Sequence, residues 1–324
     1  MSLRMCLSRR GVSRVVRTLA CAILVTSLVI DLPAPSRAAG NSGNQAGVYV
    51  DWGSPWGRES NVEAFETWLG RKGLLALDYL PGDTWSNMAA TVKWLPGYWW
   101  QGNPDRKVVW SIALTVSGTS LTQVASGEQD ETFTTIADTL AHANPNAIIR
   151  IGWEANGDWF AWSAANGQQA NYIAAFQHVV GIFRKASPGF LIDWCVNIGR
   201  VNVPADQIYP GDQYVDIIGM DIYDKDPLSQ IDAKAAWQNY LTSSYGLTWH
   251  RDFAAQHHKP MSYPEWGMGE RGDNPYFISS MANWMASNNV VYNDYWNTNA
   301  SYPGMISTGQ YPKAAKEFQK DFRH

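Results

Sequence analysis

The chain has 324 residues, a formal net charge of −4 and a high aromatic content that includes 17 tryptophans and 15 tyrosines. A chain of acidic balance is a poor partner for nucleic acid or an anionic membrane surface, and we expect neither. Tryptophan faces match the C–H faces of sugar rings, so many tryptophans favour a sugar-binding surface. The alternative is an aromatic-rich core, which we expect to account for about half of the tryptophans.

Residues 1–38 have the pattern of a secretory signal. An arginine-rich start precedes an apolar stretch near Leu19–Ile30, and the tripeptide SRA at 36–38 forms a small-x-small cleavage site. The tripeptide SRR at 8–10 leaves a twin-arginine export route open beside general secretion. Because the apolar stretch is too short for a confident membrane span, we expect a secreted protein, extracellular or periplasmic, with no membrane anchor in the mature chain.

Removal of this segment changes both the charge and the cysteine content. It takes away six arginines and one aspartate, so the formal net charge moves from −4 to −9. It also takes away Cys6 and Cys21, which leaves Cys195 alone and rules out an intrachain disulfide. Within the apolar run FLIDWCVN we interpret Cys195 as a small buried side chain rather than a nucleophile.

The rest of the chain alternates between strand and helix patterns. Residues 39–46 are small and polar and predict a flexible lead-in. Eight strand-length runs follow, at 47–52, 74–80, 107–115, 147–154, 190–197, 215–223, 260–266 and 290–296. Helical patterns occur at 60–72, 131–143, 170–186, 232–241, 274–287 and 312–322. Without an internal boundary, this order predicts the α/β class and one (β/α)₈ TIM barrel over residues 47–324.

The barrel prediction locates a candidate site at the carboxyl ends of the strands. Residues near those ends are Asp51, Trp52, Asp78, Tyr79, Trp110, Glu154, Asn197, Asp221, Tyr223, Glu265 and Trp296. In the fourth strand Arg150, Gly152 and Glu154 share one face, because alternate residues point the same way. If the isoleucines on the other face pack against helices, Arg150 and Glu154 face the barrel interior.

Glu154 and Glu265 end the fourth and seventh strands, which face each other over the central pocket. Two carboxyl groups about 5 Å apart suit a retaining glycoside hydrolase, in which one protonates the departing oxygen and the other attacks the anomeric carbon. The alternative is that each is a buried carboxylate satisfied by an arginine or a backbone amide. Their joint occurrence on strands four and seven favours the catalytic interpretation.

Three segments resemble glycoside hydrolase family 26, a family of β-mannanases with some xylanases and mixed-linkage glucanases. They are IIRIGWEANGDWFAW at 148–162, IYPGDQYVDIIGMDIYD at 208–224 and KPMSYPEWG at 259–267, in the family's order and with similar spacing. The resemblance implies that Glu154 is the general acid/base and Glu265 the nucleophile. It also implies that Tyr223 donates a hydrogen bond to Glu265.

Further side chains near the two glutamates are candidates for substrate binding. Trp159, Trp162 and Trp296 are candidate stacking platforms, and two of these occupy positions where the family has such tryptophans. Arg150 can supply positive charge beneath the pair, and Trp153 and Trp159 are expected to raise the pKa of Glu154 by lowering the local dielectric.

Two features leave alternatives open. Asn156 and Asp158 could reach a sugar hydroxyl or merely cap the turn. The run WLPGYWWQGNP at 94–104 is interpreted as an exposed loop that forms a wall of the binding site, with a hydrophobic cover over the barrel's side as the alternative.

We therefore predict a secreted enzyme, monomeric, that cleaves a β-linked polysaccharide internally by double displacement. A β-mannan backbone is favoured, but most family 26 members have histidine where this chain has Trp153. The alternatives are a β-glucanase, a xylanase, a bacterial exopolysaccharide hydrolase or a non-catalytic carbohydrate-binding barrel. The expected partner is a polysaccharide or oligosaccharide. No metal or other cofactor is expected, because His257-His258 has no third ligand at a recognisable spacing.

Overall fold

The computed structural model describes residues 44–50, 58–199 and 201–324, and within them eight parallel strands form a closed barrel in sequence order. The strands are β1 Gln45–Val50, β2 Leu75–Tyr79, β3 Val108–Ile112, β4 Ile148–Ile151, β5 Leu191–Asn197, β6 Ile217–Asp224, β7 Met261–Met268 and β8 Val290–Asn297. β1 pairs with β8 along its whole length, which closes the barrel. The predicted (β/α)₈ barrel is confirmed, while the predicted signal, residues 39–43 of the lead-in, Asp51 and Trp52 lie outside the described residues.

Ten α-helices are present in the described ranges. They are α1 Arg58–Leu69, α2 Trp85–Val92, α3 Leu95–Gly102, α4 Leu121–Ala125, α5 Asp130–Ala143, α6 Gln169–Ala186, α7 Ala233–Thr242, α8 Leu247–Gln256, α9 Pro275–Ser287 and α10 Pro312–Phe322. The six helical patterns correspond to α1, α5, α6, α7, α9 and α10. The other four helices are short, at most ten residues, and so do not fill the 11–18-residue window over which a helical period is recognised.

The interpretation of residues 94–104 as an exposed wall of the binding site is wrong. The run contains α3, and Pro96 lies near its start. The first N–H groups of a helix have no partner within the helix, so a proline there costs no hydrogen bond. Trp99 is buried and its Nε1 donates to Asp78 Oδ2 at 2.7 Å. The run therefore covers the side of the barrel, and Asp78 lies beneath this cover rather than at the rim, with Arg58 Nε 3.2 Å from its carboxylate. Burial raises the pKa of Asp78 to about 6.

The barrel interior below the rim contains buried carboxylates whose space depends on two glycines. Ser262 Oγ and the Tyr292 hydroxyl both donate to Asp193 Oδ2 at 2.5 Å. Asp294 is completely buried, and burial raises the pKa of its carboxyl well above the usual range. A Cβ at Gly219 would lie 2.5 Å from Asp193 Oδ1, and one at Gly47 would lie 1.8 Å from Asp294 Oδ1. Only glycine leaves room for these carboxylates.

We expect Gly47→Ala to lower the free energy of unfolding by about 1–3 kcal/mol, because the added methyl group overlaps the Asp294 carboxylate inside a packed barrel. Gly181→Ala is the matched control, since Gly181 lies in α6 with no atom within 4 Å of its added Cβ, and alanine there should raise stability by up to ~1 kcal/mol. Urea unfolding of both variants measures the difference. Equal stability of Gly47→Ala and the unsubstituted chain would contradict the packing described.

Candidate active site

The chain reaches Glu154 through a turn, not through a continued strand. β4 ends at Ile151, three residues before the end of the predicted strand, and Gly152 follows with φ of 52°. Glu154 also has φ of 52°, a left-handed conformation that is strained for a residue with a side chain. Its backbone N–H donates to the carbonyl of Cys195 in β5 at 2.9 Å, which holds the turn against the neighbouring strand. Glu154 thus lies at the rim as predicted, but this turn positions it there and not the alternation of side chains along β4.

A cleft of about 890 Å³ lies at the carboxyl ends of the strands. Glu154 and Glu265 both line it and are 8% and 7% exposed, respectively. Much of its wall is aromatic, formed by Tyr49, Tyr79, Trp153, Trp159, Phe160, Trp162, Tyr223, Trp296 and Tyr302. Aromatic faces with polar tips suit a ligand that has both apolar C–H faces and hydroxyl groups.

Glu265 is held by three donors. Its Oε1 accepts from the Tyr79 hydroxyl at 2.6 Å and from Arg150 Nη1 at 2.8 Å, and its Oε2 accepts from the Tyr223 hydroxyl at 2.6 Å. Burial and the negative charge of Glu265 raise the pKa of both tyrosines well above the usual range, so they remain protonated donors. These contacts stabilise an ionised carboxylate and fix its orientation.

Arg150 lies beneath the cleft instead of in its wall. The side chain has no exposed surface, and its second terminal nitrogen is paired with Asp221 of β6. Asp221 Oδ1 accepts from the backbone N–H of Glu265 at 3.0 Å and from the Cys195 thiol at 3.2 Å. Arg150 can therefore act on a substrate only through Glu265, and Cys195 is buried as predicted.

Glu154 has a different environment, with two neutral donors. Asn197 Nδ2 donates to its Oε1 at 2.6 Å, and Trp159 Nε1 donates to its Oε2 at 2.8 Å. Burial raises the pKa of Glu154, and the negative charge of Glu265 raises it further. The expected rise in this pKa is confirmed, and burial is its largest cause, whereas the hydrogen bond from the Trp159 N–H stabilises the ionised carboxylate and lowers the pKa.

The predicted stacking tryptophans differ in accessibility. Trp159 is 47% exposed, whereas Trp162 and Trp296 are 4% and 6% exposed. Trp162 stacks on Phe160 with ring centroids 4.5 Å apart and donates from Nε1 to the carbonyl of Trp153. Trp296 stacks on Tyr49 with centroids 4.2 Å apart. Trp159 therefore offers a broad free face, while the other two contribute little exposed surface to the cleft.

Asn156 supports the site from below. It has no exposed surface, its Nδ2 donates to the carbonyl of Asn197 at 2.7 Å, and its Oδ1 accepts from the Asn197 backbone N–H at 2.9 Å. Of the two alternatives for Asn156, this favours the structural one. Asp158 accepts from Asn202 at 3.0 Å on the exposed side of the same loop.

Several cleft residues were missed as functional candidates. Tyr79 and Asn197 stood among the strand-end residues, but only their contacts with Glu265 and Glu154 show their importance. Their inward position at the ends of β2 and β5 was the available signal. Lys225 and Tyr302 lie in connections after β6 and β8, where no periodicity predicts the direction of a side chain.

Comparison with known proteins points to one family. Residues 119–247 match the sequence profile of glycosyl hydrolase family 26. The chain is 27% identical over 216 residues to endoglucanase H of Acetivibrio thermocellus, which covers 64% of this chain and 23% of that protein. It is 30% identical over 170 residues to a mannan endo-1,4-β-mannosidase of Bifidobacterium adolescentis. This alignment covers 48% of this chain and 16% of that protein. Its fold is similar to that of a Bacillus subtilis mannanase, with a TM-score of 0.58, 14% identity and 84% of each chain covered.

An eight-stranded barrel with two carboxyl groups in an aromatic cleft at the strand ends is an arrangement that suits the hydrolysis of glycosides. The profile that matches residues 119–247 is that of glycosyl hydrolase family 26, the family that the three segments resemble. The chain spans less than a quarter of the length of the two curated relatives. The profile match includes Glu154 and Tyr223 but ends before Glu265, so the role of Glu265 depends on its contacts and its motif.

Two further observations concern the described ranges. No helix there is long and apolar enough to cross a membrane. In the same part of the chain, no group of three or more His, Cys, Asp or Glu side chains is placed to hold a metal ion.

Gly157 determines whether Trp159 reaches Glu154. A Cβ at Gly157 would lie 2.3–2.5 Å from three atoms of the Trp159 ring, so Gly157→Ala should move the indole away and break its hydrogen bond. Because that bond favours the carboxylate, its loss should raise the pKa of Glu154. A ¹³C NMR titration of the glutamate side chains measures the shift.

Trp159→Phe provides the control, since it removes the same donor without disturbing Gly157. Adding Gly157→Ala to Trp159→Phe should then change the pKa of Glu154 little further, because the two substitutions act through one bond. Additive shifts in the double variant would show that Gly157 acts on Glu154 by another route.

Proposed function

We propose that the chain is a retaining, endo-acting hydrolase of a β-linked polysaccharide, with a β-mannan-type backbone favoured. The observation that carries this proposal is that Glu154 and Glu265 line one cleft in unlike environments. Glu265 is paired with a cation and two hydroxyl donors. Glu154 is buried with neutral donors and has a raised pKa. Unlike environments of this kind separate a general acid from a nucleophile.

In the first step, the Glu265 carboxylate attacks the anomeric carbon while Glu154 donates its proton to the glycosidic oxygen. The bond between that carbon and oxygen breaks, the shortened chain leaves as an alcohol, and a glycosyl ester of Glu265 remains. Formation of the ester removes the negative charge of Glu265, which is one cause of the raised pKa of Glu154. Glu154 therefore becomes a stronger acid at the moment when it must stay ionised.

In the second step, Glu154 accepts a proton from water, the water oxygen attacks the anomeric carbon and Glu265 leaves as a carboxylate. Two displacements at one carbon retain its configuration. Tyr223 and Arg150 contact Glu265 and are placed to donate hydrogen bonds to the departing carboxylate. Glu154 returns to its protonated form for the next cycle.

The nature of the backbone is inferred from the relatives. The mannan endo-1,4-β-mannosidase supports a β-mannan backbone. β-Glucan is the second candidate, because the relative aligned over the longer segment is named an endoglucanase. The broad aromatic cleft supports cleavage within a chain. Xylan and bacterial exopolysaccharide are further candidates on the same barrel, and the presence of both glutamates favours an enzyme over a purely binding barrel.

We also propose that the protein is exported and acts as a monomer outside the cytoplasm. The support for export is the signal pattern in residues 1–38 and the acidic mature composition with a single cysteine. Nothing in this proposal requires a nucleic acid or a cofactor.

Variants of the two glutamates test the proposed roles. On β-mannan, β-glucan and xylan, Glu154→Ala should lower the rate about 10²–10⁴-fold. On aryl glycosides with good leaving groups it should retain most of its first-step rate, since the leaving group needs little protonation. Glu265→Ala should lose activity on every substrate.

Glu270→Ala is the control, because Glu270 is an exposed glutamate close to Glu265 in sequence. It should behave like the unsubstituted chain. Equal losses for Glu154→Ala on all substrates, or normal turnover by Glu265→Ala, would overturn the assignment.

A further inference from the structure

Lys225 is a cation placed in the wall of the cleft. It directly follows β6 and, among the described residues, is the only lysine or arginine that lines the cleft. Its Nζ lies 3.7 Å from the ring centroid of Tyr302 and 5.5 Å from that of Tyr223. Tyr223 in turn donates to Glu265, so one tyrosine ring separates the ammonium from the proposed nucleophile.

The backbone of Lys225 is fixed from two sides. Its N–H contacts the Tyr240 hydroxyl at 2.7 Å, and its carbonyl accepts from Arg271 Nε at 2.9 Å. The face of Tyr302 supports the ammonium by a cation–π contact. The charge is therefore held in place before any ligand arrives, which lowers the entropic cost of binding one.

No carboxylate in the described part of the chain is paired with this ammonium. None of the ion pairs there includes Lys225. Both flanking aspartates are occupied elsewhere, Asp224 by Ser229, Tyr240 and Asn274, and Asp226 by Asn239. The cation is thus available to a ligand in the cleft.

The charge of Lys225 matters because its surroundings are acidic. The proposed Glu265 carboxylate lines the same cleft, and the chain without residues 1–38 has a formal net charge of −9. These charges repel an anionic sugar, so a substrate with carboxylates needs a local cation to bind beside the glutamates. A neutral polysaccharide has no such need.

We propose that Lys225, backed by Tyr302, binds a carboxylate on the sugar chain next to the site of cleavage. The ligand is a uronic acid or a sugar that bears a carboxyl substituent. This inference rests on the proposed function and narrows it, since the β-linked chain then carries carboxyl groups, either in uronic acids or as substituents. A single ammonium with three donors matches a singly charged carboxylate.

The test compares two derivatives of one backbone. Carboxymethyl and hydroxyethyl forms of the same β-glucan and of the same β-mannan, with equal degrees of substitution, differ mainly in charge. For each variant, the ratio of kcat/KM on the carboxymethyl form to that on the hydroxyethyl form is measured at low ionic strength. Lys225→Gln should lower this ratio about tenfold, as expected for loss of a charge-assisted hydrogen bond.

Two variants and one condition control the result. Lys225→Arg should retain most of the ratio, because the charge remains. Lys185→Gln removes an exposed lysine near the end of α6 and should leave the ratio unchanged. High salt should lower the ratio of the unsubstituted chain towards that of Lys225→Gln, because partly exposed charges are screened.

The opposing outcomes are distinct. An unchanged ratio in Lys225→Gln, with activity on both forms reduced alike, would show that Lys225 only supports Tyr302 or contacts hydroxyl groups. If the unsubstituted chain cleaves neither form of either backbone, the proposed cleavage of β-mannan and β-glucan fails. Titration calorimetry then measures the ratio of the affinities for carboxymethyl and hydroxyethyl oligosaccharides. A lower ratio in Lys225→Gln would support the role of Lys225 without any need for turnover, and an unchanged ratio would contradict it.

Discussion

The site depends on one buried cation. The guanidinium of Arg150 lies under the cleft with no exposed surface and pairs with Asp221 of β6 and Glu265 of β7. Removing a charge from such a buried set leaves unpaired carboxylates, which is far more costly than losing a surface ion pair. Because Arg150 comes from β4, it also links three strands of the barrel at the level of the cleft. This contact, together with those of Tyr79 and Tyr223, orients the Glu265 carboxyl group.

Glu154, unlike Glu265, has no ion pair with Arg150. It lies in a strained turn, with its backbone bonded to Cys195 and its carboxyl group bonded to Asn197 and Trp159. Neutral donors compensate only part of the cost of burying a charge, so the protonated form is favoured relative to an exposed glutamate. The barrel therefore holds two glutamates in one cleft and surrounds them with different neighbours, a cation and two hydroxyl groups for Glu265 and two neutral N–H donors for Glu154.

Much of this arrangement could be predicted from the sequence. The eight apolar runs predicted the barrel, and the glutamates after the fourth and seventh runs predicted a shared cleft. The turn at Gly152 could not be predicted, because the alternating pattern of the fourth strand continues in the sequence as far as Glu154. Asp78 was named for its position near the end of the second strand, but it alternates with Tyr79 and lies under α3, whereas Tyr79 contacts Glu265. The contact between Trp159 and Glu154 depends on the absence of a side chain at Gly157, which periodicity does not show.

The central claim is that two displacements occur at one anomeric carbon. Proton NMR of the first sugars released from a β-linked oligosaccharide reports their anomeric configuration before mutarotation equilibrates it. The account predicts that the β-anomer appears first and that the α-anomer grows in later. An initial α-anomer would contradict the account, because it would require a single displacement by water and a different role for Glu265.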